Sequence, residues 1–253
     1  MSNYDRNMRF GASVGRKATA EIDQGLRAYM LGVYNYMTLG LGVTGLVALG
    51  AQMLAVTHNA AGRIALTPFG QAIYMSPLRW VIVLAPLAFV FFISARANTM
   101  SAATARTLFL AFAATIGLSM SFLLLVYTGG SIARVFFITS AAFGGLSLYG
   151  YTTNRDLSPV GSFLIMGVWG LVIAGLVNIF MQSSALQFGL SILSVLIFSG
   201  LTAWDTQSIK EEYYAGDGYE VAHKKSIFGA LRLYLDFINM FQSLLYLFGD
   251  RNN

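Results

Sequence analysis

Two aspartates in the C-terminal part of the chain stand where carboxylates are uncommon. Asp205 ends the sixth long apolar run and Asp236 lies inside the seventh, whereas most other acids lie between such runs. A carboxylate at membrane depth costs about 2.5–3.5 kcal/mol on insertion scales, so such residues usually face the interior of a helix bundle. Because a single loop joins the two runs, we expect neighbouring helices whose carboxyl groups meet in the core.

Such a pair has a defined chemistry. Two carboxylates in a low dielectric cannot both ionise cheaply, so they share a proton and respond to pH near neutrality. When ionised, the pair attracts an arginine or a hard cation such as Ca²⁺. We therefore predict a pH-sensing, ion-gating site in which Asp205 and Asp236 bind Ca²⁺ weakly and transiently. The alternatives are an interfacial position for Asp205 and an i,i+4 ion pair between Arg232 and Asp236.

Further polar residues lie in or beside the apolar runs. Arg96 ends the second run and Arg134 begins the fourth, and either side chain can reach into the bundle or extend to the lipid headgroups. Asn178 and Asn239 are predicted to form interhelical hydrogen bonds, and with Arg232 they are assigned to a supporting polar core. The chain has no Cys, which excludes thiolate metal sites and disulfides. No cofactor is predicted.

The elements that must position these residues are membrane-spanning helices. Of the 253 residues, 56% are hydrophobic and only 11% are charged, whereas a soluble domain carries about 25% charged residues. Small residues four apart, Ala141/Gly145 and Gly170/Ala174, predict close helix packing. Runs of spanning length cover residues 29–56, 78–95, 108–127, 131–149, 160–181, 186–204 and 227–248. We predict an all-α bundle of seven transmembrane helices, with the polar seventh helix at its centre.

The basic residues flank the apolar runs and predict an orientation rather than nucleic-acid binding. With a cytoplasmic N-terminus, 12 of the 16 Lys and Arg residues fall on the cytoplasmic side and 4 on the other, as the positive-inside rule expects. The predicted organisation is a basic cytoplasmic tail at 1–28, a transmembrane domain at 29–249 and a short tail at 250–253.

Three segments carry a resemblance to a known family: Phe143–Tyr151 running into Asp156–Ser158, then Asp205–Lys210, then Leu233–Phe241. Over about residues 25–249 the chain resembles the Bax inhibitor-one family, also called the transmembrane Bax inhibitor motif family, and is similar to its bacterial YetJ-like and YccA-like members. The resemblance implies a seven-helix bundle, with the last helix wrapped by the other six, in a bacterial inner membrane. It also implies a pH-sensitive Ca²⁺ leak, gated at an aspartate pair that Asp205 and Asp236 match. The family's latching arginine, near the end of the second helix, is best matched by Arg96.

Other functions stay open at this point. YccA-like relatives regulate a membrane-bound protease, so the chain can instead be a partner of such an enzyme. Two aspartates on consecutive spans also describe intramembrane aspartyl proteases, but here Trp204–Asp205 and Leu235–Asp236 replace the expected motifs. A small-solute transporter is a further alternative, although no pair of discontinuous helices favours it. We predict that the protein is not an enzyme.

Overall fold

The computed structural model describes residues 3–58, 64–97 and 99–252, and the side chains at 24–57, 65–97 and 99–252. The helices are α1 (Asn3–Ala55), α2 (Pro68–Tyr74), α3 (Leu78–Arg96), α4 (Ala102–Met120), α5 (Leu123–Val126), α6 (Gly129–Thr152), α7 (Ser158–Met181), α8 (Ser184–Glu211) and α9 (Tyr219–Phe248). Two short antiparallel strands, β1 (Val56–His58) and β2 (Ile64–Leu66), follow α1. The predicted all-helical class is therefore right except for this one hairpin.

Within the part of the chain that the structure describes, six helical segments are long and apolar enough to cross a bilayer. They are Gln24–Ala55, Leu78–Arg96, Ala102–Val126, Gly129–Thr152, Ser158–Met181 and Ser184–Glu211. The seventh predicted run falls within α9, where Arg232, Asp236, Asn239 and Gln242 interrupt the apolar stretch. The chain is thus an integral membrane protein of apolar helices, with one further long helix, α9, that is more polar.

That different helix, α9, is the most enclosed part of the bundle. Thirteen of its residues are buried, whereas α3 and α7 each have one. It packs against α1, α4, α6 and α8, while α3 packs on α2 and α4, and α7 packs on α8. The outer helices instead expose large apolar side chains such as Phe91 and Phe180. This surface is suited to lipid, because hydrocarbon can solvate side chains that water cannot.

Several helix ends differ from the sequence prediction. Helix α8 continues to Glu211, so Asp205 lies within a helix rather than at its end. Helix α9 begins at Tyr219, eight residues before the predicted start of the seventh run. Helix α1 begins at Asn3 and so includes most of the predicted tail at 1–28. The basic side chains predicted for that tail before Arg27, and that of Arg63, lie outside the described side chains.

Close helix packing occurs at other glycines than the predicted ones. A Cβ at Gly150 on α6 would clash with the Ala203 carbonyl of α8, and one at Gly117 on α4 would clash with the Thr44 carbonyl of α1. A Cβ at Gly145 or Gly170 would meet nothing within 4 Å. The prediction from small residues four apart was therefore wrong at these positions, because both of these glycines stand in open space.

Candidate ion-gating site

The carboxyl groups of Asp205 on α8 and Asp236 on α9 meet between the two helices. Both residues are buried, with exposed fractions of 6% and 3%, and the two carboxyl groups lie within hydrogen-bonding reach of each other. A hydrogen bond between two carboxyl groups requires a proton on one of them, because carboxylates only accept. The geometry therefore provides a site that can hold one shared proton.

The local packing of α8 on α9 explains why the carboxyl groups meet. Gly229, Leu233 and Asp236 are buried at spacings of four and three residues, which places them on one face of α9. At Gly229 a Cβ would lie 3.1 Å from the Ile209 side chain, so the two helices are in close contact there. This close approach brings the two aspartates together.

Arg232 is the basic residue beside the pair. Its Nη1 lies 3.6 Å from Asp205 Oδ1, and its Nη2 donates to Glu212 Oε1 at 2.5 Å. Its Nη1 also donates to Ser208 Oγ at 3.4 Å. Arg232 is half-buried and Glu212 is exposed, so the guanidinium connects the buried pair to the end of the bundle. The i,i+4 pair with Asp236 considered from the sequence is replaced by contacts across to α8.

Some acceptor capacity of the pair is unused. Asp205 Oδ1 and Asp236 Oδ2 accept no hydrogen bond from the part of the chain that the structure describes. Within the same residues, no three acidic or histidine side chains converge on one point. Two carboxylates with open lone pairs suit brief contact with a hard cation better than tight storage, which needs 6–8 oxygen ligands for Ca²⁺.

The structure does not bring Arg96 to the aspartates. Arg96 is exposed at the end of α3, and its guanidinium carbon lies 5.9 Å from the centre of the Phe92 ring on the same helix. Arg134 is also remote, since it pairs with Asp250 at 2.6 Å, and both of these side chains are exposed. The arginine that contacts Asp205 comes from the helix packed against it, whereas Arg96 belongs to a helix that packs on α2 and α4.

The two asparagines assigned to the polar core form their hydrogen bonds with groups other than the aspartate pair. Asn178 holds the turn from α7 to α8, where its Nδ2 donates to Gln187 Oε1 at 3.0 Å and its Oδ1 accepts from Ser183 N at 3.1 Å. Gln187 is about 27 Å along α8 from Asp205. Asn239 donates to the Leu235 carbonyl at 2.8 Å, within its own helix. Of the three supporting residues, only Arg232 contacts the aspartate pair.

Sequence reasoning missed Ser208 and Glu212, which hold the guanidinium of Arg232. A signal was present, because Asp205, Ser208 and Glu212 follow one another at i, i+3 and i+7. That spacing places three acceptors on one face of a helix. A face of this kind indicates a cationic partner on the next helix. Arg232 is the one arginine within the predicted seventh run and is therefore the partner that the sequence indicates.

Gln207 joins two of the segments that carry the family resemblance. Its Oε1 accepts from Leu157 N at 2.9 Å, and its Nε2 donates to the Arg155 carbonyl at 2.8 Å. In the same connection between α6 and α7, Asp156 Oδ1 accepts from Ser158 N at 2.9 Å. This backbone hydrogen bond lowers the pKa of Asp156 below its ordinary value. The connection between α6 and α7 is thereby held against α8 at Gln207, which is two residues beyond Asp205 in the sequence.

A chain of hydroxyl groups lies beside the pair and ties three helices together. Thr206, next to Asp205, is fully buried, and its Oγ1 lies 2.9 Å from Ser147 Oγ on α6. Ser147 Oγ in turn lies 2.6 Å from Tyr34 Oη on α1. Buried hydroxyl groups that are hydrogen-bonded in this way specify one arrangement of helices. The contacts fix α8, and with it Asp205, relative to α1 and α6.

Comparison with known proteins gives a consistent result over most of the chain. Residues 26–253 match the profile of the family described as Inhibitor of apoptosis-promoting Bax1. The chain is 45% identical over 231 residues to an uncharacterized protein of Rickettsia prowazekii, covering 91% of this chain and 93% of that protein. It is 42% identical over 229 residues to the inner membrane protein YbhL of Escherichia coli, covering 90% and 93%. An uncharacterized protein of Caulobacter vibrioides is 43% identical over 235 residues, covering 92% of each chain.

Proposed function

Because the chain belongs to the Bax inhibitor-one family, we propose that it is a pH-sensitive Ca²⁺ leak channel, gated at Asp205 and Asp236. One observation carries the proposal: two buried carboxyl groups meet inside a bundle of apolar helices, beside the guanidinium of Arg232. The resemblance predicted both the family and the pair. The family is confirmed by the comparisons, and the function of the pair is our proposal.

The shared proton provides the sensitivity to pH. Two adjacent carboxylates in a low dielectric repel each other, so the pair loses its protons in two separate steps. At low pH both groups are neutral and attract no cation. As pH rises, the pair becomes negative and attracts either Arg232 or a permeating cation. The occupancy of the site by Ca²⁺ is therefore set by pH and by competition with one guanidinium.

Arg232 acts as the latch in this proposal, the role that the resemblance assigned to Arg96. In the closed state it pairs with ionised Asp205 and occupies the place of a cation. Glu212 provides a second partner that holds the guanidinium when Asp205 takes up a proton. Arg232 can then move out of the path of the cation without becoming an unpaired charge, which would be costly in a buried site. Since protonation also weakens cation binding, flux has its maximum at an intermediate pH.

The membrane arrangement that fits this function has α9 as a seventh span. Its 30 residues measure about 45 Å as a helix, which exceeds a hydrocarbon core of about 30 Å. Its charged residues avoid lipid because α1, α4, α6 and α8 surround it. We propose a cytoplasmic N-terminus, from the distribution of Lys and Arg, and the bacterial inner membrane, where the name of YbhL places that relative. Asp205 and Arg232 then lie toward the cytoplasmic end.

Purified protein in liposomes tests the proposal. Ca²⁺ entry is followed with an enclosed fluorescent indicator over a series of pH values, with protein-free liposomes as the control. A flux that depends on the amount of protein and varies with pH is the expected result. Absence of flux, together with stoichiometric purification of a membrane-bound protease with the chain, would overturn the leak and favour the regulatory alternative.

A further inference from the structure

A cavity of about 260 Å³, open on one side, lies between α7, α8 and α9, away from the aspartate pair. Five polar side chains line it within a region that is otherwise apolar: Gln187, Ser191 and Ser194 on α8, and Asn239 and Ser243 on α9. The volume is enough for several water molecules, since one water needs only about 30 Å³. Each of these side chains makes a hydrogen bond within the protein: Ser243 to Ser194, Ser191 to the Gln187 carbonyl, Asn239 to the Leu235 carbonyl, and Gln187 to Asn178. Their remaining donors and acceptors are available to water.

The polar lining faces the same way as the aspartate pair. On α9, Asp236, Asn239 and Ser243 follow one another at i, i+3 and i+7, on one face of the helix. Asn239 is only about 4.5 Å along the axis from Asp236. The Ser243 hydroxyl donates to Ser194 Oγ at 2.8 Å and joins the two walls.

The same alignment exists on α8. From Asp205 toward the start of the helix, positions three or four residues apart carry Thr202, Phe198, Ser194, Ser191 and Gln187. These spacings place them along one face, from the aspartate pair to the cavity. Phe198 is the one apolar member of the series. It lines the cavity and also packs against the hydrophobic core.

We propose that this cavity is a water-filled vestibule that receives a hydrated cation on the far side of the aspartate pair, and that Phe198 separates the two. The inference rests on the proposed leak and assigns to it the second half of the route. Neutral oxygens of Ser and Asn side chains replace part of the hydration shell of a hard cation without binding it tightly. A phenyl ring between two polar segments closes a narrow route by excluding water.

Accessibility of single cysteines tests the vestibule without any flux measurement. Because the chain has no Cys, Ser194→Cys and Asn239→Cys each introduce one thiol. Leu193→Cys is the matched control, since Leu193 neighbours Ser194 and is 47% exposed on the outer surface of α8. In proteoliposomes, a charged methanethiosulfonate should modify the two vestibule thiols about tenfold faster or more, because a charge is disfavoured in hydrocarbon. Equal rates for all three variants would overturn the vestibule.

Flux through a Phe198 variant tests the separation. Phe198→Ala should increase the Ca²⁺ flux severalfold at the pH where the parent flux is highest, because the aspartate gate is then open and Phe198 is the remaining barrier. Phe188→Ala is the control on the same helix, because Phe188 is 54% exposed on the outer surface. Phe198→Leu keeps an apolar side chain and should remain close to the parent, which separates the effect of an open route from that of misfolding. Equal flux in Phe198→Ala and Phe188→Ala would overturn the role of Phe198.

These outcomes are distinct from a failure of the leak proposal. A parent protein without Ca²⁺ flux would contradict the proposed function, and the modification rates would still decide whether the vestibule holds water. A parent with pH-dependent flux but inaccessible thiols at positions 194 and 239 would leave the aspartate gate intact and overturn this route alone.

Discussion

Arg232 Nη1 lies 3.6 Å from Asp205 Oδ1, although Arg232 shares its helix with the other aspartate of the pair, Asp236. An i,i+4 contact along α9 was geometrically available. The guanidinium instead crosses to α8, where Asp205, Ser208 and Glu212 all lie on the face toward it. The contact makes the proton on the aspartate pair and the position of Arg232 mutually dependent.

Replacement of Arg232 tests that dependence. In Arg232→Gln the ionised form of Asp205 loses its cationic partner, so the pair should keep its proton to higher pH. The pH at which Ca²⁺ flux changes should therefore move upward in proteoliposomes. Arg96→Gln is the control, since the structure places Arg96 on Phe92, away from the pair. An upward shift in Arg96→Gln with none in Arg232→Gln would restore Arg96 as the latch.

Replacement of Glu212 should have the opposite effect. Glu212→Gln removes a competing partner of Arg232 and a negative charge near Asp205, and both changes favour ionised Asp205. The pH response of Ca²⁺ flux should move downward. The shift should be smaller than that of Arg232→Gln, because the Glu212 side chain is 40% exposed and water screens its charge. Shifts of the same sign in the two variants would contradict this competition.

The contact of α6 with α8 depends on a glycine. Gly150→Ala would place a methyl group against the Ala203 carbonyl, so the helices must separate. Such overpacking typically costs about 1–3 kcal/mol. Gly144→Ala on the same helix meets nothing within 4 Å and should be neutral or slightly stabilising. Thermal unfolding in detergent compares the two, and equal melting temperatures would show that this packing is misassigned.

The loop between α6 and α7 has its own dependence on pH. Because the pKa of Asp156 is lowered by the Ser158 N–H, the stabilisation it gives is present above the ordinary pKa of an aspartate. It is lost as pH falls through the lowered value in the folded protein. The parent should therefore have a higher melting temperature than Asp156→Ala at neutral pH, and this difference in melting temperature should decrease in acid. A difference in melting temperature that grows in acid would contradict a lowered pKa of Asp156.

The sequence predicted the parts of the site that depend on hydrophobic patterning. Apolar runs located the helices, and the cost of a carboxylate in lipid singled out Asp205 and Asp236. Hydrophobic patterning did not predict the partner of the pair, because an arginine in or beside an apolar run has the same local pattern whether it reaches inward or toward the headgroups. The acceptors at Asp205, Ser208 and Glu212 indicated a cationic partner on the next helix, but tertiary packing decides that Arg232 meets them and Arg96 does not.

The two asparagines illustrate the same limit. Asn178 and Asn239 look alike in sequence, as amides inside apolar runs. In the structure one holds a helix turn and the other lines a cavity. Periodicity predicts which face of a helix is polar, but it does not predict which neighbour that face meets.

Ca²⁺ flux across pH in proteoliposomes, measured for the parent beside Asp205→Asn and Asp236→Asn, tests the aspartate gate most directly. Each variant leaves a single carboxyl group that cannot share a proton with a partner, so the pH response of the parent should be lost in both. Asp250→Asn is the control, because Asp250 is exposed and pairs with Arg134 outside the site, and it should behave as the parent does. We expect a parent flux with its maximum at an intermediate pH and no such maximum in either aspartate variant. Parent-like flux and pH response in both variants would contradict the aspartate gate.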